Sequence, residues 1–279
     1  MTAAETTKSS PAQLPVSPPV LEALDVTVRF GGLAALSNVS IAVPPATIVG
    51  LVGPNGAGKT TLFHVLSGLL RPVNGRVVLS GHDITRATPQ ARARAGLART
   101  FQSLELFLGL TVRDHVVLGY RVRNARRRLW ADLVDGRAWR KEPADEQERV
   151  DRLIDMLDLG PVASESVAVL PLGTARRVEI ARALATGPKV VLLDEPSSGL
   201  DARETGRLSA ALRRVVAEDG VSLLLVEHDV AMVLDLSSRI TVLDFGQRIA
   251  EGPPDEIRTN AAVQAAYFGD EHTGEGRFQ

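Results

Sequence analysis

Cysteine is absent from the sequence. That excludes disulfides, thiolate metal sites, thiol nucleophiles and cysteine-held iron–sulfur clusters, and it suits a reducing compartment. Aromatic residues are scarce, at 4%, which leaves no stacking platform for single-stranded nucleic acid. Excess charge of either sign is missing too. The 32 basic and 33 acidic residues leave a net charge of −1, without the basic footprint of a nucleic-acid binder. No apolar run approaches the ~18 residues of a membrane span, and residues 1–20 lack the apolar stretch of a secretory leader. The expectation is a protein that stays where it is made and reaches a membrane only by docking onto something already there.

What is present is an ordinary globular composition. The 279 residues are 44% hydrophobic and 23% charged, enough for one large domain or two unequal parts with a sizeable core. Residues 1–19 are rich in Ser, Thr and Pro and read as a flexible tail. From Leu21 the pattern changes. Leu24, Val26 and Val28 alternate with polar residues, as do Val39, Ile41 and Val43, the period of half-buried strands. Residues 47–52 are nearly all apolar, as in a strand covered on both faces. A Gly-rich turn, a helix over about 58–70 and a strand over 76–79 follow. The stretch from about 85 to 172 carries helical periodicity, with Val150, Leu153, Ile154 and Leu157 on one face, and reads as a helical insertion. Arg121, Arg123, Arg126, Arg127 and Arg128 cluster inside it, as a solvated helix end or as a contact to headgroups or an acidic partner. Strands and helices then alternate at 174–186, 189–194, 202–218, 221–226, 229–236 and 239–244, predicting parallel βαβ units.

The chemistry begins at Gly53-Pro54-Asn55-Gly56-Ala57-Gly58-Lys59-Thr60, followed by Thr61. This is G-x-x-x-x-G-K-[ST] between a buried strand and a helix. Its glycines let backbone N–H groups wrap phosphates, and the helix N-terminus adds partial positive charge. Lys59 reaches β- and γ-phosphates in such a loop, and the Thr60 hydroxyl ligates Mg²⁺. A second buried run, 190–193, ends in Asp194 and Glu195, at the end of a parallel strand where ligands sit. Asp194 suits an outer Mg²⁺ contact and Glu195 a water-orienting general base.

These residues, in this order and spacing, resemble the nucleotide-binding subunit of ABC transporters over about residues 21–269. The resemblance implies an α/β fold: a phosphate-loop NTPase core with a parallel-rich sheet, an antiparallel N-terminal β part and a helical subdomain inserted at about 85–172 of a domain spanning 20–279. It implies that Phe30 stacks on adenine. Gln102, in Thr100-Phe101-Gln102, would sense Mg²⁺ and the attacking water beside the membrane-subunit contact. Gly173 and Asp201 would touch the opposite subunit, and His228 would contact the γ-phosphate. One motif departs from the pattern. The family's Leu-Ser-Gly-Gly-Gln stands here as Leu170-Pro171-Leu172-Gly173-Thr174. Pro171 has neither the hydroxyl nor the N–H of the usual Ser, and a hydrogen bond to a charged group is worth ~1.5–3 kcal/mol. Slower hydrolysis is expected at the ATP site this loop completes.

Residues 96–102, Leu110-Thr111-Val112, the Arg176-Arg177-Val178-Glu179-Ile180-Ala181-Arg182 stretch and Ala266-Tyr267-Phe268-Gly269 look like the ATPases of branched-chain amino acid uptake. The resemblance thus implies a peripheral ATPase at the cytoplasmic face of the membrane. It would use ATP and Mg²⁺, pair with a second ATPase subunit, drive a membrane permease fed by an extracytoplasmic binding protein, and bind no nucleic acid. Lipid or drug export stays open, because the permease and binding protein choose the substrate. A soluble ABC ATPase is less favoured. The module occurs once, and no sustained heptad separates Lys59 from Gly173.

Overall fold

The computed structural model describes residues 18–100, 105–134 and 144–268, and of residues 124–134 and 268 the backbone alone. All but the end of the expected tail, together with Phe101, Gln102 and Gly269, lies outside the described residues.

Strands β1 (Leu21–Phe30) and β2 (Leu33–Val43) form a hairpin, and β3 is Ile48–Val52. Helix α1 (Lys59–Ser67) is followed by β4 (Asn74–Leu79), β5 (His82–Asp83), α2 (Pro89–Ala95) and β6 (Leu97–Arg99). Three helices come next: α3 (Val112–Val134), α4 (Ala144–Met156) and α5 (Leu172–Ala185). The chain continues through β7 (Val190–Asp194), α6 (Ala202–Asp219), β8 (Ser222–Val226), α7 (Val230–Leu236), β9 (Arg239–Asp244) and β10 (Gln247–Gly252). It closes with α8 (Pro254–Thr259) and α9 (Ala261–Phe268).

Two sheets result. An antiparallel one runs β2-β1-β4-β5, and a six-stranded one runs β10-β9-β3-β8-β7-β6. The second is parallel except for the β9–β10 hairpin. Its central strands are apolar on both faces because each face meets a different core. Val190 and Leu192 join α1 and the antiparallel sheet, while Val191 and Leu193 join the helices α3 to α7. Helix α1 is therefore clamped between two sheets, with Leu62, Phe63, Val65 and Leu66 buried. That fixes the direction in which its N-terminus points.

The stretch read as a helical insertion contains a strand at its start. β6 pairs in parallel with β7 and extends the main sheet. Three residues are too short to show a period, so the pattern ran through them. Helices α3, α4 and α5 pack against one another, on the same core as α6 and α7. β10 was also missed, because its residues are only partly buried and carry no clean alternation. The arginine cluster resolves in part. Arg121 donates to Glu146, which is fully buried, at 2.7 Å. Arg123 donates to the carbonyls of Thr186 and Gly187 just beyond α5. These two brace the helical group internally. The side chains of Arg126, Arg127 and Arg128 lie outside the described residues.

His115 holds the chain leading into α3. It is fully buried; its Nε2 accepts from the Phe107 N–H at 2.9 Å, and its Nδ1 donates to the Thr111 carbonyl at 2.9 Å. A backbone N–H can only donate, so Nε2 carries no proton and the ring is neutral. Burial holds its pKa below the ordinary imidazole value, aided by Arg182 and opposed by the Thr111 carbonyl and Asp114. The unfolded chain then takes up a proton that folded His115 refuses, so stability falls as pH drops below the ordinary imidazole range. Thermal unfolding from about pH 7.5 to about 5 should show that loss, and His115→Gln should flatten the slope. An unflattened slope would place the proton uptake on another group.

Candidate nucleotide-binding site

The C-terminal ends of β3, β8 and β7 lie side by side in the sheet. Each delivers one part of the site. β3 runs into the phosphate loop, β7 ends at Asp194 and Glu195, and β8 leads to Glu227 and His228. Loops at the carboxyl ends of parallel strands converge in this way because every strand points to the same edge.

The loop reaches α1 through Gly58, which is left-handed at φ +101 and offers no side-chain cap. The first N–H groups of α1 are thus left for an anion. Lys59 is 6% exposed, and its ammonium donates to the carbonyls of Gly53 at 2.5 Å and Pro54 at 2.9 Å. Burial lowers its pKa, and the nearby Glu195 carboxylate opposes that shift. A cation fixed by two carbonyls at the mouth of a ring of N–H groups is suited to multiply charged phosphate. The cavity here is about 530 Å³, with Asn55 through Thr61, Glu195 and His228 among its walls.

Glu195 adopts a left-handed backbone, φ +48, uncommon for a residue with a Cβ. Its N–H donates to the Val226 carbonyl at 2.8 Å. That bond ties the end of β7 to the end of β8 and turns the carboxylate toward His228. Nε2 of His228 lies 2.7 Å from Oε1 of Glu195. The pair matches the spacing of a base with an orienting partner.

Four residues at the site carry no signal by themselves. Arg99, at the end of β6, donates to Asp194 Oδ2 at 3.0 Å and sits over the Phe63 ring at 5.2 Å. Burial raises the Asp194 pKa, against the pull of Arg99. Glu227, 3% exposed, accepts from the N–H of Ser197 at 2.7 Å and of His228 at 3.2 Å. It fastens the chain after Glu195 to the chain carrying His228. Its pKa is raised, chiefly by burial. Phe245 and Leu33 also line the cavity. Arg99 directly precedes the Thr100-Phe101-Gln102 motif and Glu227 directly precedes His228, yet only the strand order gives either a partner.

Other expected residues fall as follows. Phe30 ends β1 and is half exposed; its hairpin partner Leu33 is among the residues lining the cavity, and Phe30 is not. Thr60 and Thr61 open α1 and face the cavity. Asp201 caps α6, its Oδ1 accepting from the Glu204 N–H at 2.7 Å in a capping box. Gly173 lies in the first turn of α5, where an added Cβ would meet Glu204 Oε1 at 2.9 Å. The two expected cross-subunit residues are therefore neighbours, joined through Glu204.

For a divalent cation the donor set fits. Among the described residues no cluster of three His, Cys, Asp or Glu forms a metal cage. Thr60 lines the cavity, and Asp194, paired with Arg99, ends β7 one residue before Glu195, which lines it. One carboxylate and one hydroxyl with substrate phosphates is how proteins hold Mg²⁺.

Pro171 is the N-cap of α5, with extended ψ 150 and no side-chain cap bond. Pro171→Ser should add about 1 kcal/mol of stability as a true N-cap. If the hydroxyl serves the ATP held by a second subunit, turnover should rise roughly tenfold, the equivalent of ~1.4 kcal/mol. Denaturant melts and phosphate release measure the two effects separately. Greater stability with unchanged turnover would leave Pro171 a capping position only.

The chain is similar to known proteins over most of its length. Residues 36–198 match the family described as ABC transporter, and residues 247–273 match the branched-chain amino acid ATP-binding cassette transporter family. The chain is 36% identical over 255 residues to the high-affinity branched-chain amino acid transport ATP-binding protein BraF of Pseudomonas aeruginosa, covering 91% of this chain and 100% of that one. Identity to the corresponding protein LivG of Escherichia coli is 34% over 255 residues, with the same coverage. Among solved structures, the fold matches the ADP conformation of MJ1267, an ATP-binding cassette of an ABC transporter, at a TM-score of 0.77 and 28% identity, covering 91% of this chain and 100% of that one.

Proposed function

The chain belongs to the ATP-hydrolysing subunits of ABC transporters, and on that premise we propose that it powers import of branched-chain or other hydrophobic amino acids. The observation that carries the substrate class is the C-terminal match. Residues 247–273, which include β10, α8 and α9, match a family named for branched-chain amino acids. The function itself is ATP hydrolysis coupled to a membrane permease. Among the described residues no helix is long and apolar enough to cross a membrane.

In the proposed cycle, Gly53 to Thr61 wrap the triphosphate with backbone N–H groups, and Lys59 leaves its carbonyl partners for the β- and γ-phosphates. Thr60 and Asp194, joined by Gln102, would hold Mg²⁺, whose charge would offset that of the phosphates. Glu195 takes the proton of the attacking water, and His228 keeps the Glu195 carboxylate turned toward it. Phe30 contributes to holding the base. Gly173 and Asp201 complete the nucleotide site of a second ATPase subunit. Closure of that pair on ATP and reopening after hydrolysis would move α3, α4 and α5 against the permease at the cytoplasmic face. An extracytoplasmic binding protein would deliver the substrate.

A pull-down with tagged Glu195→Gln protein from detergent-solubilised membranes in ATP tests this reading. Recovery of a multi-span permease, a second ATPase and an amino-acid-binding protein is the expected result. A lipid- or drug-export permease without a binding protein would overturn the import assignment, and purely soluble partners would overturn coupling to transport.

A further inference from the structure

The walls of the cavity divide by chemistry. One group is the phosphate loop, with Lys59, the open N-terminus of α1, Glu195 and His228. The remaining lining residues, Leu33, Ala34, Ala35 and the Phe245-Gly246 turn, are all apolar, and Ala35 and Gly246 adjoin the loop at Gly58. The first group suits phosphate and the second does not.

Phe245 is the largest side chain of the apolar group and the most exposed large hydrophobic residue described, at 88%. It occupies the β9–β10 turn with φ +41, followed by Gly246 at φ +74. A two-residue hairpin turn with both φ values positive favours Asn or Asp followed by Gly. A Phe at its first position is conformationally unfavourable and buries almost none of its ring in return. The turn is also held still. The Gly246 N–H donates to the Ala57 carbonyl at 3.1 Å, its carbonyl accepts from the Ser37 N–H at 2.8 Å, and a Cβ on Gly246 would meet the Ala35 carbonyl oxygen at 2.6 Å. The phosphate loop and β2 therefore pin the turn and present an aromatic ring at the cavity.

We propose that Phe245 is a base-binding residue, which packs on the purine of the bound nucleotide at the apolar part of the cavity. The base would then be held by the β9–β10 turn as well as by the end of β1. A rigid ring on a pinned turn loses little freedom when it stacks. The proposal rests on the ATP-binding reading and adds to it the residue that separates a nucleotide from a bare phosphate chain.

The experiment compares ATP with inorganic tripolyphosphate, each with Mg²⁺, by calorimetry on the full chain. Phe245→Gly relieves the positive φ, so its melting temperature should rise while ATP affinity falls about tenfold, within the range for loss of one base–aromatic stack. Tripolyphosphate affinity should stay at the wild-type value, and Phe245→Tyr should bind ATP as the wild type does. Unchanged ATP affinity in Phe245→Gly would overturn the proposal. Equal losses for ATP and tripolyphosphate would also overturn it, because they would report a distorted phosphate loop. Unchanged ATP affinity with weaker ATP-driven self-association would overturn it by assigning the ring to contact with a second subunit. A wild-type chain that binds neither probe would sink the ATP reading itself, a result distinct from the others.

Discussion

Glu195→Gln is expected to bind ATP at least as tightly as the wild type and to hydrolyse it about 10²–10⁴ times more slowly, the range for loss of a general base. The substitution preserves shape. The Glu195 N–H still holds the Val226 carbonyl, and a Gln carbonyl oxygen still accepts from His228. What disappears is a negative charge and the ability to take a proton. The charge matters for binding because Glu195 stands near Lys59, which it acts on electrostatically, and so faces the incoming phosphates. Its removal relieves a repulsion, so affinity should rise if it changes at all. Phosphate release under saturating ATP, with binding measured in parallel, separates the two effects. Turnover within threefold of the wild type would remove Glu195 from the role of base.

Gly53→Ala should disable the site by a different route. A Cβ at position 53 would stand 2.1 Å from the Leu243 carbonyl oxygen and 3.1 Å from its carbon, on a backbone at φ +155. Both obstacles are main chain of β9, paired on either side within the sheet, and neither can rotate away. Relief requires the phosphate loop to shift. The expected loss of stability is about 3 kcal/mol, combining overpacking with backbone strain. ATP affinity should fall about a hundredfold, as loop N–H groups leave their directions. Gly56→Ala is the control. Its Cβ would meet nothing within 4 Å although φ is +79, so only conformational strain of about 1–2 kcal/mol applies. Melts and ATP titrations of both variants decide the matter. If Gly53→Ala behaves like Gly56→Ala, β9 does not confine the loop.

Much of this site is legible in the sequence because its parts are local in the chain. The phosphate loop is one uninterrupted segment between a buried strand and a helix, and its spacing alone brings Lys59 and Thr60 to the helix N-terminus. Asp194 and Glu195 announce themselves at the end of an apolar run. His228 depended on its place relative to those landmarks. By contrast, Arg99 reaches Asp194 across most of a hundred residues of chain, and the contact exists because β6 lies beside β7. Glu227 sits in plain view next to His228, yet its work is to accept the N–H of Ser197 from a neighbouring strand's loop. The arginine cluster reads as a surface feature; Arg121 instead turns to the buried Glu146, while Arg123 stays exposed and donates to the Thr186 carbonyl just beyond α5.

The amino-acid order alone sets which residue types the site carries: a Gly-rich loop ending in Lys59 and Thr60, a carboxylate pair at Asp194 and Glu195, and His228. The loop and the pair need only residue types at fixed short spacing. It also determined that β3, β7 and β8 would be buried on both faces, since their apolar runs leave no polar side. Tertiary structure decided which strand ends meet, and therefore which charges pair and which aromatic faces the cavity. Parallel strands are joined by long crossovers, so spatial neighbours are remote in the chain. Their order is set by how whole helices and sheets share two cores, a property of the assembled layers that no local spacing records.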